Sequence, residues 1–201
     1  CALPIYPETL QPALTADDVE SAFAAGRIAS LIGLEGGQSI ADSLAVLRQM
    51  FHLGARYMTL THNDDLAWAT AATGGAEAQA EVDGLPGSPG ARSTRGLTEE
   101  GQAVVAEMNR LGMIVDVSHV SDETARDVIE VSTAPVIASH SGFRHFTPGF
   151  ERNLDDELAK EIAATGGVIQ IPFGTMFLDG QAAADIQAYF VAADEFERRN
   201  A

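Results

Sequence analysis

The feature that most constrains this chain is an alternation. Short apolar runs, several closing on a glutamate or a histidine, are separated by amphipathic stretches of helical period. Helix Ala13–Gly26 leads into the apolar run Ile28–Leu34, which ends in Glu35-Gly36-Gly37. Helix Ala41–Leu53 presents Leu44, Leu47, Met50 and Phe51 on one face, stops at Gly54 and feeds strand Arg56–Thr61. Thr98 caps a helix that continues to Leu111, and strand Met113–Val117 follows. Ser121, backed by Asp122 and Glu123, caps the next helix, and strand Pro135–Ser139 comes after it. A loop over residues 141–153 then leads to helix Asp155–Thr165, strand Val168–Pro172 and a last helix, Ala182–Arg199.

Five βα units in sequence predict a parallel sheet, either open and doubly wound or closed as a barrel. No Gly-x-Gly-x-x-Gly stands at a strand–helix turn, so a dinucleotide-binding fold has no support. Five strands are too few to close an eight-stranded barrel, and the barrel reading therefore requires further sequence. The segment Ala71–Arg95 is rich in Ala, Gly, Ser and Pro and is expected to be a long surface loop.

Composition narrows the partners. An apolar share of 46% and a mean hydropathy of +0.03 describe an ordinary globular chain. The 29 acidic residues outnumber the 12 basic ones, for a formal charge of −17. Such a charge disfavours nucleic acid and anionic membrane surfaces as partners. No apolar run reaches the roughly 20 residues that span a bilayer. The opening CALPIYPETL shows no signal-peptide pattern, so a soluble protein is expected and its compartment stays open. Cys1 is the single cysteine, which excludes an internal disulfide framework.

The chemistry is expected at the strand ends, where Glu35, His62, His119 and His140 stand. Side-chain alternation groups Leu31, Gly33 and Glu35; Met58, Leu60 and His62; Val115, Val117 and His119; and Val136, Ala138 and His140. The four polar groups would then project together from the carboxyl end of a parallel sheet, where α/β active sites lie. Imidazole and carboxylate together suit zinc or a similar divalent ion. A lone histidine at a strand end is more often a hydrogen-bonded structural residue, and Glu35 could simply cap the next helix. Their coincidence at successive strand ends favours the metal site. Asp116 has the opposite parity to His119, which assigns it to the helix-facing side as a structural residue. His52 and His145 fall away from the strand ends, and Trp68 and Phe143 read as packing or loop contacts.

The segments IASLIGLEGGQSI, LGARYMTLTHND, GLTEEGQAVVAEMNRLGMIVDVSHVS and APVIASHS, with the Glu-Arg-Asn of ERNLDDEL, resemble the membrane (renal-type) dipeptidase family of zinc peptidases. The likeness runs from about Tyr6 to Phe173. It implies a (β/α)₈ TIM barrel that hydrolyses dipeptides at a centre of two Zn²⁺ ions. Carried over residue by residue, Glu35 would bridge both ions, and His119 and His140 would complete the second. His62 would contact the substrate and stabilise the tetrahedral oxyanion, and Arg152 would hold the substrate's terminal carboxylate.

The family's His-x-Asp motif near the N-terminus, on the first strand, which holds the first zinc, has no counterpart ahead of Glu35 in this chain. No strand bearing the family's late catalytic aspartate follows the final helix either. Residues 1–201 are thus expected to form a single domain, the central part of a barrel truncated at both ends and inactive alone. The resemblance leaves a homodimer open. Two alternatives keep the fold: a binuclear amidohydrolase acting on another amide or acyl-amino acid, or a non-catalytic remnant.

Overall fold

The structure, a computed structural model, describes residues 6–73 and 96–200. Cys1 and most of the loop expected over Ala71–Arg95 lie outside the described residues. Among the described residues, no helix is long and apolar enough to cross a membrane.

The chain opens with a short parallel pair, β1 (Leu10–Pro12) against β2 (Ile28–Ser30), connected through helix α1 (Ala16–Ala24). Thr15 and Asp18 close a reciprocal capping box at the start of α1. From there the elements run β3 (Ile32–Glu35), α2 (Leu44–His52), β4 (Ala55–Thr59), α3 (Glu99–Leu111), β5 (Ile114–Asp116) and α4 (Asp122–Val131). They continue as β6 (Ile137–Ala138), α5 (Asp156–Ala164), β7 (Val168–Ile169) and α6 (Gly180–Asn200). Thr98, Ser121 and Asp155 accept the amides of Gly101, Thr124 and Leu158, so helices α3 and α4 start where their caps predict, and Asp155, expected as the first residue of α5, is its cap.

The main sheet has five parallel strands in the order β3-β4-β5-β6-β7. Each strand lies beside its predecessor, and there is no reversal of order of the kind that defines a doubly wound sheet. This sequential order is that of consecutive units of a (β/α)₈ barrel. It resolves the choice that the alternation alone left open.

One expected strand divides. The run Ile28–Leu34 breaks at Leu31, its first half pairing with β1 and its second with β4. The pairing of β3 with β4 also shifts register between Ile32 and Gly33. Strand β1 was not expected, because three residues ending in a proline carry no readable alternation.

The face assignment also needs correction. Met58, Leu60, Val115, Val117, Val136 and Ala138 are all buried in one cluster with helical residues such as Leu47, Val105, Met108, Val128 and Ile162. That face therefore meets the helices. Register sets Glu35 beside Thr59 and Thr59 beside Asp116, and these residues occupy the opposite face. His62, His119 and His140 do not reach the site by continuing the alternation of Met58, Val115 and Val136. They reach it because the backbone leaves strand geometry after Thr59, Asp116 and Ala138.

An ionic staple ties α2 to α3 in the helix layer. Glu107 of α3 accepts from Arg48 of α2 at 2.6 Å and from Arg110 at 2.6 and 2.7 Å. Hydrogen bonds from Arg110, and then from Arg48, hold its carboxyl down at about 2. A folded-state pKa below the unfolded one contributes stability above the ordinary carboxylate range, and that stability is lost as pH falls toward the folded value. Both arginines are substantially exposed, so screening keeps the contribution modest. Glu107→Gln should cost about 1 kcal/mol in urea denaturation near neutral pH and almost nothing near pH 2. Equal losses at both pH values would assign the effect to packing rather than charge.

Candidate metal centre

Glu35 ends β3, and its Oε1 lies 3.3 Å from His119 Nε2 and 3.2 Å from His140 Nε2. One ligand atom from each of these three residues falls within 4.8 Å of the others. His62 stands further out, its Nε2 3.9 Å from the same oxygen. Its ring is 4.4 Å from that of His119, and the His119 ring is 4.8 Å from that of His140. The structure thus brings together the four side chains singled out at strand ends. His52 and His145 are exposed and are not part of this cluster, standing at the end of α2 and in the turn Arg144–Phe146.

His119 occupies the left-handed region at φ +69. That conformation is uncommon for a residue with a side chain and persists only where the surroundings impose it. Here Thr61 Oγ1 and the Ala72 amide both donate to the His119 carbonyl, at 3.1 and 2.7 Å. The turn swings the ring off the helix-facing side and onto the site.

The electrostatics suit ligation. Burial, followed by the nearby Arg152 guanidinium, pushes the His119 imidazole down to about 3. The same two causes lower His140. His119 Nδ1 and His140 Nε2 are both buried without a hydrogen-bond partner. Neutral imidazoles with uncommitted nitrogens beside a carboxylate are the donor set a divalent cation takes, so these residues fit a metal.

Asp116 departs furthest from its sequence reading. It does not turn to the helices but lies fully buried beneath the site. Its Oδ1 accepts from the Ser118 and Ser139 amides at 3.0 and 2.9 Å. Its Oδ2 accepts from Thr59 Oγ1 at 2.7 Å and from Ser139 Oγ at 2.5 Å. Ser139 Oγ in turn lies 2.7 Å from His140 Nδ1. The available signal was the set of small polar residues Thr59, Ser118 and Ser139, which have no reason to line an apolar helix interface.

A cleft of ≈ 260 Å³ opens beside this cluster, lined by Gly33, Glu35, Tyr57, Thr59, Ser139 and His140. A Cβ on Gly33 would overlap the Tyr57 ring, so only glycine lets the phenol lie across β3. Trp68, buried with its Nε1 donating to Asp42, is a structural residue.

Arg152 is 6% exposed, and its Nη1 has no hydrogen-bond partner. Its guanidinium carbon sits 5.6 Å above the Phe177 ring, and burial depresses its pKa to about 10. The loop carrying it is fixed by its neighbour. Asn153 Oδ1 accepts from the Gly142 amide at 2.6 Å, while Nδ2 donates to Thr147 Oγ1 at 2.6 Å and to the Phe177 carbonyl at 3.0 Å. Asn153→Ala would strand these buried groups and should lower stability by about 2–3 kcal/mol. Hydrogen exchange at the Gly142 amide should accelerate with it. A loss under about 1 kcal/mol would mean that water replaces the amide without cost.

The sequence profile of a family described as Membrane dipeptidase (Peptidase family M19) matches residues 3–194. Three solved structures superpose with a TM-score of 0.70 each. A metallopeptidase from Rhodobacter sphaeroides, liganded with a phosphinate mimic of the dipeptide L-Ala-D-Ala, is 30% identical over 85% of this chain and 45% of its own. An amidohydrolase from Pseudomonas aeruginosa is 25% identical, covering 87% of this chain and 48% of its own. The probable dipeptidase PvdM from the same organism is 25% identical, covering 85% and 40%. The chain therefore spans somewhat less than half the length of the structures it matches.

Proposed function

This chain belongs to the membrane dipeptidase family, and on that premise we propose that it carries the metal-binding and carboxylate-binding parts of a binuclear zinc dipeptidase. The observation that carries the reading is the convergence of His119 and His140 on Glu35 Oε1, at 3.3 and 3.2 Å. Two neutral imidazoles and one carboxylate would hold one divalent ion, and Glu35 would be the carboxylate shared with a second. A divalent ion bound there supplies Lewis-acid polarisation of the scissile carbonyl and a water acidic enough to ionise near neutral pH.

The chain's own side chains do the rest. His62, half-exposed at the rim, is the donor that meets the developing oxyanion. Arg152 receives the C-terminal carboxylate of the substrate in a bidentate fork and so selects dipeptides over longer chains. The R. sphaeroides relative, with its dipeptide mimic bound, supports the substrate class. A second reading has one specific support, the resemblance to a P. aeruginosa amidohydrolase: another amide could occupy the same centre.

The test is elemental analysis of the full-length protein with a dipeptide hydrolysis assay, with and without chelator. About two zinc ions per chain and chelator-sensitive cleavage are expected. Metal without dipeptide cleavage would shift the reading to another amide, and absence of metal would overturn it.

A further inference from the structure

The relay beneath the site has a consequence in proton placement. Asp116 Oδ2 accepts the only hydroxyl proton of Ser139, at 2.5 Å. Ser139 Oγ can then meet His140 Nδ1, 2.7 Å away, only as an acceptor. The proton of that contact therefore belongs to the imidazole. A neutral His140 ring protonated at Nδ1 carries its lone pair on Nε2, the atom that faces Glu35 Oε1 at 3.2 Å and has no hydrogen bond. The backbone that carries the ring is tied to the same carboxylate, since the His140 amide donates to Ser118 Oγ at 2.9 Å and the Ser118 amide donates to Asp116.

We propose that Asp116, acting through Ser139, is a positioning residue that fixes His140 in its Nδ1–H tautomer and so presents Nε2 to the metal. This rests on the metal-centre reading above and adds an aspartate and a serine to it. Neither residue touches substrate or ion. Two features make Asp116 suited to the task. It has no exposure to water, and four donors hold its two oxygens in fixed directions. A carboxylate so anchored cannot rotate to release the Ser139 hydroxyl. Carboxylates placed behind ligating histidines commonly change metal affinity by about 10–100-fold.

The experiment uses ¹⁵N-labelled full-length protein in wild-type form and as Ser139→Ala, Ser139→Thr and Asp116→Asn. Long-range ¹H–¹⁵N correlations on the metal-free protein report which His140 nitrogen bears the proton. Competition with a chromogenic chelator reports the Zn²⁺ affinity. The wild type is expected to be protonated at Nδ1. Ser139→Ala should lose that preference and bind Zn²⁺ about 10–100-fold more weakly, and Ser139→Thr, which keeps the hydroxyl, should restore both. Asp116→Asn should behave as Ser139→Ala. If it fails to fold, the serine pair still decides the matter, because Ser139 gives up only one bond to the carboxylate. A wild-type His140 protonated at Nε2, or a Ser139→Ala protein with unchanged tautomer and affinity, overturns the relay. A wild type with the Nδ1–H tautomer but no Zn²⁺ binding instead sinks the metal reading, leaving the tautomer established.

Discussion

Glu35→Gln should empty the metal centre and lower dipeptide hydrolysis by the full-length protein at least about 10³-fold, roughly 4 kcal/mol of transition-state stabilisation. The substitution keeps the side chain's shape and one carbonyl acceptor but removes its negative charge. His119 and His140 would then offer two neutral donors with no anion to offset a divalent ion. Glu35 is also the residue from which a loss of function is easiest to interpret. Its side chain is 57% exposed and contributes nothing to the apolar core, so the variant should unfold at the temperature of the metal-free wild type. His119→Ala removes metal too, yet it also empties a buried site whose left-handed backbone depends on its surroundings. Elemental analysis, kcat/KM and thermal unfolding of metal-free Glu35→Gln separate the cases. Wild-type metal content in that variant would take the bridging role away from Glu35.

The parts of this molecule legible in the sequence were those written by local rules. Thr98 and Ser121 fixed helix starts because an N-cap needs only the three residues that follow it. The parallel order of the sheet followed from alternation, since a crossover helix leaves a strand few other places to go. The break at Leu31 was not legible. It depends on β1, which is separated from the run by the whole of α1 and pairs with the first half of it while β4 pairs with the second.

The site was legible as a list and misread as a geometry. Glu35, His62, His119 and His140 were identified by position, but their directions were extrapolated from strand parity beyond the last paired residue. Parity holds only while the backbone is extended, and the φ of +69 at His119 ends it. The same error sent Asp116 to the wrong face. Its true surroundings come from Thr59 on one neighbouring strand and Ser139 beyond the other, 57 and 23 residues away. Contacts between strands set that network, and no local pattern records them. Asn153 is similar: its partners Gly142, Thr147 and Phe177 converge only after the loop closes around it.

Arg152 carries the last prediction, in which function and stability should move in opposite directions. A guanidinium buried to 6% exposure, with Nη1 unbonded, has given up its hydration without full compensation. The lowering of its pKa to about 10 records the same imbalance: the fold holds the charged form less favourably than water does. An anionic substrate group arriving there would supply the missing partner. Arg152→Met keeps an unbranched side chain against Phe177 and removes the charge. It should leave the fold as stable as the wild type or more so, by about 1 kcal/mol. It should also raise KM for dipeptides about 10²-fold with a smaller change in kcat, because an anchor for a remote carboxylate binds ground and transition states alike. Discrimination between a dipeptide and its C-terminal amide should vanish with it. Arg152→Lys should recover only part of the effect, since an ammonium lacks the planar fork. If Arg152→Met instead unfolds early while KM and the preference for the free acid stay put, the arginine is a strut for the loop and the carboxylate is bound elsewhere.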